Sequence, residues 1–148
     1  MLKAPREYPD YPIAGVGVVV WKDGKVLLIR RGRPPREGDW SLPGGRQKLG
    51  ETTRETAIRE VREEAGIEIA VGHLLDVIDS VVPDGDGRIR YHYTLADFDA
   101  EWRSGEAVAG GDAAALEWAD PADLVRYDLW DETLRIIALS AELRETLP

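Results

Sequence analysis

No cysteine occurs anywhere in the 148 residues. Disulfides, thiolate nucleophiles and cysteine-ligated zinc are therefore excluded, and a reducing cytoplasm is compatible. Histidine is nearly as scarce, since His73 and His92 are too few and too far apart to suggest a zinc site. Excess positive charge is missing as well: 28 acidic against 19 basic side chains leave a net charge of −9. Such a surface is a poor match for nucleic acid or an anionic membrane, and neither is expected as a partner. It stays open to a polyanionic small molecule, because a bound divalent cation can reverse the local field. Long apolar runs are absent. The first, Ile13 to Trp21, is short and carries two glycines, so it reads as neither signal peptide nor membrane span, and a cytoplasmic location is expected. There is no P-loop, G-x-S-x-G elbow or G-x-G-x-x-G fingerprint to suggest those enzyme classes.

What is present is expected to organise as one α+β domain over residues 13–148 behind an irregular arm, residues 1–12, an arm expected to be too short to hold a helix-turn-helix. Ile13 to Val20 and Lys25 to Arg30 read as strands joined by the turn Lys22-Asp23-Gly24. Arg31 to Asp39 is a basic, proline-containing loop leading to Trp40-Ser41-Leu42-Pro43 and the pair Gly44-Gly45. Thr52 followed by Glu55 is a capping box, which predicts a helix from about Thr53, and Gly66 is placed to stop it. Ala57, Ile58, Val61 and Ala65 form its apolar stripe. Strands are expected over 67–71, 74–82, 89–98 and 113–118, with Pro83 to Gly87 as a turn. Asp120-Pro121 opens a short helix, and Leu134, Ile137, Ala138 and Ala141 mark the inner stripe of a last helix over 130–143.

Glu60, Glu63 and Glu64, at i, i+3 and i+4, share one face of the predicted helix. Packed together they repel unless a cation sits among them. A glutamate-rich helix face is often no more than a solvated surface; here the glycine approach, the capping box, Glu51 and the closing glycine give it the context of a hard-metal site.

The segment from Gly45 to Ile67 resembles the Nudix box, G-x5-E-x7-R-E-U-x-E-E-x-G-U with U aliphatic. It agrees at every fixed position: Gly45, Glu51, Arg59, Glu60, Val61, Glu63, Glu64, Gly66 and Ile67. The resemblance implies a Nudix α/β/α sandwich, with a mixed β-sheet between helices, and hydrolysis of a nucleoside diphosphate linked to another group. It implies Glu60, Glu63, Glu64 and the Gly44 carbonyl as metal ligands for Mg²⁺, with Mn²⁺ an alternative, and an ion pair of Glu51 with Arg59 behind them. Glu63 or Glu60 could serve as general base. Asp112, in the glycine-rich loop before the predicted last strand, is a candidate base or distal ligand, with Glu106 in reserve; Asp112 could equally cap a turn.

Substrate contacts are sought in Arg30, Arg31 and Arg33, whose forks suit phosphate, and in Trp40, Tyr91 and Tyr93, which could stack on a base. Tyr91 and Tyr93 should share a face of their strand, where core packing is the competing role. Pro83, sixteen residues after the box, resembles the pattern of ADP-ribose pyrophosphatases, although its turn explains a proline by itself. ADP-ribose is the favoured substrate, an oxidised nucleoside triphosphate the alternative, and a non-catalytic nucleotide sensor the reading from another class. Many Nudix relatives are dimers, so a homodimer is left open.

Overall fold

The computed structural model describes residues 5–146; the first four residues of the expected arm and the last two of the chain lie outside them. β1 (Ile13–Lys22) and β2 (Lys25–Arg31) are joined through Asp23 and Gly24, with φ of 50° and 75°, the positive-φ pair of a tight hairpin turn. The hairpin pairs only at its closed end, Trp21↔Val26 and Lys22↔Lys25. Beyond that the strands splay, β3 (Trp40–Ser41) pairing along β2 and β4 (Gly44–Arg46) along β1. A wedge opens between them.

On its other edge β1 runs parallel to β6 (Ile89–Ser104), which pairs antiparallel with β5 (Glu68–Pro83), while β7 (Ala113–Ala119) pairs with β2. The helix α1 (Thr53–Ala65) covers one face of this mixed sheet and α2 (Asp131–Thr146) the other. Val18, Val20 and Leu27 pack with Ala57, Val61 and Ala65 of α1; Val19, Trp21 and Leu28 pack with Ile136 and Ile137 of α2. β1 and β2 are thus buried on both faces, which is why they read as unbroken apolar runs. The expected α+β sandwich is the fold found.

α1 begins as its sequence predicts. The Thr52 side chain accepts from the Glu55 N–H, the Glu55 carboxylate accepts from the Thr52 N–H, and Gly66 closes the helix at φ 69°. Thr52→Ala should therefore cost about 1 kcal/mol, measured by chemical denaturation; an unchanged midpoint would remove the cap from the list of stabilising contacts.

Two expectations are corrected. Residues 67–71 and 74–82 are not two strands but the single β5, whose register shifts around Gly72 and His73. His73 is in the strand, its N–H donating to Asp99 Oδ1 at 2.7 Å, and Gly72 is bare because a Cβ there would strike the same carboxylate. In α2 the buried set is Thr133, Ile136, Ile137 and Ser140, and Ala138 is exposed. The inner stripe contains a polar residue because Ser140 Oγ accepts the Trp21 Nε1–H at 2.9 Å, satisfying a buried indole.

Candidate active site

The glutamates of α1 face the wedge with graded burial. Glu64 is 4% exposed, the Glu60 side chain 15% and that of Glu63 49%. Gly45 makes room for Glu60, since a Cβ there would meet its carboxylate. The Gly44 N–H donates to Glu64 Oε1 at 2.9 Å. Arg59 lies among the acids: Nε and Nη2 reach Glu51 at 2.7 and 2.9 Å, Nη1 reaches Glu60 at 2.8 Å and Glu63 at 3.3 Å, and Nη2 also donates to the Arg46 carbonyl at 2.9 Å. With Glu60 and Glu63 turned to Arg59 and Glu64 to Gly44, no three carboxylate or imidazole side chains among the described residues form a ready-made cage. The donors nevertheless suit a hard divalent ion, being carboxylate oxygens.

Electrostatics separates these acids. The Arg59 guanidinium, helped by the Lys48 N–H and the Thr56 hydroxyl, holds Glu51 down at about 2. Burial raises Glu60, with Arg59 opposing. Burial pushes Glu64 up to about 8, offset in part by the Gly44 N–H. Glu51 and Arg59 therefore brace the turn before α1, and Glu51→Gln should lower stability by roughly 1–3 kcal/mol. Because its folded pKa is depressed, that contribution is full above about 4.5 and fades as pH falls toward 2. Equal melting temperatures for variant and wild type at pH 7 would refute the brace.

The wedge forms one cleft in which Gly44, Glu60, Glu63, Glu64, Arg31, Arg33, Trp40, Tyr93 and Asp112 come together. Asp112 is bridged by Arg33 at 3.0 Å and Arg6 at 3.7 Å. Trp40 packs edge-on against Tyr127, ring centroids 5.5 Å apart. Other expected contacts lie elsewhere. Arg30 is exposed outside the cleft, its Nε on the Gly38 carbonyl at 3.2 Å, as strand alternation with Arg31 requires. Tyr91 is buried, and with Pro83 it borders a shallow groove beside the cleft; its hydroxyl meets Glu7 at 3.3 Å. Glu106 is exposed.

Sequence reasoning passed over Arg6, Asp97, Trp130, Glu132 and Thr133, which also line the cleft. Arg6 lies in the arm treated as irregular; that arm is docked, with Tyr8 OH donating to Asp84 at 2.8 Å and Glu7 paired to Arg90 at 2.7 Å. Asp97 carried little usable signal, since Asp99 and Glu101 follow it at alternate positions of the same strand.

The NUDIX domain family model matches residues 12–139, from the start of β1 well into α2. The chain belongs to the Nudix family. It is 39% identical over 110 residues to the ADP-ribose pyrophosphatase of Methanocaldococcus jannaschii, covering 74% of this chain and 63% of that protein. It thus spans less than two thirds of that relative's length. To the CTP pyrophosphohydrolase of Escherichia coli K12 it is 29% identical over 136 residues, 90% of this chain and 94% of the other. The crystal structure of a MutT NUDIX hydrolase from Burkholderia pseudomallei has the same Nudix fold, with TM-score 0.76 and 31% identity, over 88% of this chain and 98% of that one.

Proposed function

We propose that this Nudix chain is a divalent-metal-dependent hydrolase of the diphosphate bridge in a nucleoside diphosphate derivative, with ADP-ribose the favoured substrate. One observation carries the reading: Glu60, Glu63 and Glu64 share a cleft with Arg31 and Arg33, an acidic wall for cations beside a basic one for phosphate. Glu60, Glu63, Glu64 and the Gly44 carbonyl would hold Mg²⁺, which supplies charge neutralisation of the diphosphate and activation of water. Arg31 and Arg33 orient the phosphates, and Trp40 and Tyr93 offer faces to a base. Glu63, the most exposed of the three acids and only loosely bonded to Arg59, would take the proton of the attacking water on a carboxylate oxygen not engaged by the metal. Water adds to one phosphorus and the bridge oxygen leaves with the other half, giving AMP and ribose 5-phosphate from ADP-ribose. Asp112, held between Arg33 and Arg6, positions those arginines.

Similarity to a CTP pyrophosphohydrolase over nearly its full length favours a second reading, removal of pyrophosphate from a nucleoside triphosphate. Product analysis with Mg²⁺ separates the two across ADP-ribose, NADH, diadenosine polyphosphates, CTP, GTP and 8-oxo-dGTP. AMP from ADP-ribose supports the first; pyrophosphate from a triphosphate replaces it with the second. Turnover that persists in excess chelator would overturn the metal dependence of both.

A further inference from the structure

Asp97 is a buried acid for which neither the glutamate face nor any ion pair accounts. It is 6% exposed, on β6 directly opposite Gly17 of β1. Its Oδ1 is the one buried side-chain oxygen or nitrogen among the described residues without a hydrogen-bond partner. A Cβ on residue 17 would stand 2.5 Å from that oxygen, so the bare glycine is what admits the carboxyl. The charged groups around it are committed to one another: Arg135 is bonded to Asp76 at 2.9 Å and to Glu132 at 2.8 Å. Burial pushes Asp97 up to about 7, raised further by Asp76 and Glu132 and opposed by the Gly17 amide and Arg135. Buried polar groups are nearly always paired; Oδ1 is turned to Gly17, while the residue also lines the cleft, where a ligand could meet the carboxyl.

Its position selects the part of the ligand. The Gly110 N–H donates to the Glu64 carbonyl at 3.0 Å, which holds the loop carrying Asp112, and with it Arg33 and Arg6, at the α1 side of the cleft. Asp97 lies on the α2 side, with Leu95, Tyr93, Trp130, Glu132 and Thr133 along the same cleft. That side has acids and aromatic and apolar surface, with the Arg36 guanidinium 5.2 Å over the Trp130 ring, a stacked setting that suits a flat base with a hydrogen-bond donor. A carboxyl turns easily about its last torsion, so either oxygen can meet the donor.

We infer that Asp97 reads the nucleobase, accepting a hydrogen bond from an exocyclic amine, so that the cleft selects amine-bearing bases over those lacking the amine. The inference takes a nucleotide as ligand from the function proposed above, but not its hydrolysis. Asparagine keeps a carbonyl acceptor at this position and leucine does not.

Equilibrium binding is measured with Mg²⁺ present for two probe pairs that differ by one amine: AMP against purine riboside 5′-monophosphate, and GMP against IMP. Wild type and Asp97→Asn are expected to bind the amine-bearing member of at least one pair about tenfold or more tightly. Asp97→Leu is expected to bind both members of that pair equally, while remaining folded, because an apolar group replaces an unpaired buried acid. Equal binding within both pairs by wild type, a preference kept by Asp97→Leu, or no binding of any probe overturns the inference. Hydrolysis of ADP-ribose is followed in parallel. Absent turnover with amine-dependent binding intact would sink the ADP-ribose reading alone, and turnover without amine preference would sink this inference alone.

Discussion

Glu64→Gln is expected to lower turnover by about a hundredfold or more and, in the metal-free protein, to raise stability at pH 8.5. The activity loss follows from the role proposed for this carboxylate: removal of a charged ligand costs more than the about 10–100-fold typical of residues that only support one. The stability gain has the opposite origin. Glu64 is almost fully buried, and burial lifts its pKa from 4.5 to about 8. Below about 4.5 the folded and unfolded chains both hold the proton. Between 4.5 and 8 only the folded chain does, so wild-type stability falls as pH rises, and above 8 the penalty is constant. Glutamine is neutral throughout and keeps an oxygen for the Gly44 N–H, so the variant should gain about 2–4 kcal/mol at pH 8.5 in chelator and much less at pH 5. Mg²⁺ should narrow or reverse the difference, because it stabilises only the protein that binds it. Wild-type turnover would remove Glu64 from the site; a variant less stable than wild type at both pH values would refute the burial argument.

This tension between charge for function and burial for stability was partly legible in the sequence. The acids of α1 could be placed on one face because the capping box and Gly66 bound the helix locally, and 3.6-residue periodicity does the rest. How deeply each acid is buried could not be read, since it depends on Gly44 and Gly45 bringing β4 against α1. The β1–β2 hairpin was legible for the same local reasons, but its splay is a tertiary result of β3 and β4 taking different edges. β5 was read as two strands because Gly72-His73 has the chemistry of a break; Asp99, from a strand that follows, bridges it. Tyr91 and Tyr93 obey strand alternation, yet only Tyr93 reaches the cleft. Tyr91 lies further toward the strand's start, where the arm lays Glu7 on its hydroxyl. The α2 side of the site brings residues near 97 and 130 to β1, and no local pattern encodes such a pairing.

Gly44→Ala is the substitution expected to harm fold and site together. A Cβ on residue 44 would overlap the Val16 carbonyl oxygen and stand 3.0 Å from the Gly17 Cα. Both obstacles are backbone atoms of β1, held from the far side by parallel pairing with β6, so they cannot step aside as a flexible side chain could. Relief must come from β4 moving away, which breaks its pairing with β1 at Gly17↔Gly44 and withdraws the Gly44 N–H from Glu64. Overpacking of this kind costs roughly 1–3 kcal/mol or more, and the lost hydrogen bond to a buried acid adds about 1–2 kcal/mol. Displacement of the Gly44 carbonyl, a proposed metal ligand, should carry turnover down as well. Gly50→Ala is the matching control, for Gly50 has φ 85° but nothing within 4 Å of its would-be Cβ. It tests backbone strain without collision and should cost about 1–2 kcal/mol with turnover largely kept. Melting temperatures and steady-state rates of the two variants, measured side by side, decide the matter. If Gly44→Ala is no worse than Gly50→Ala in both, the close approach of β4 to β1 is not what holds the site in place.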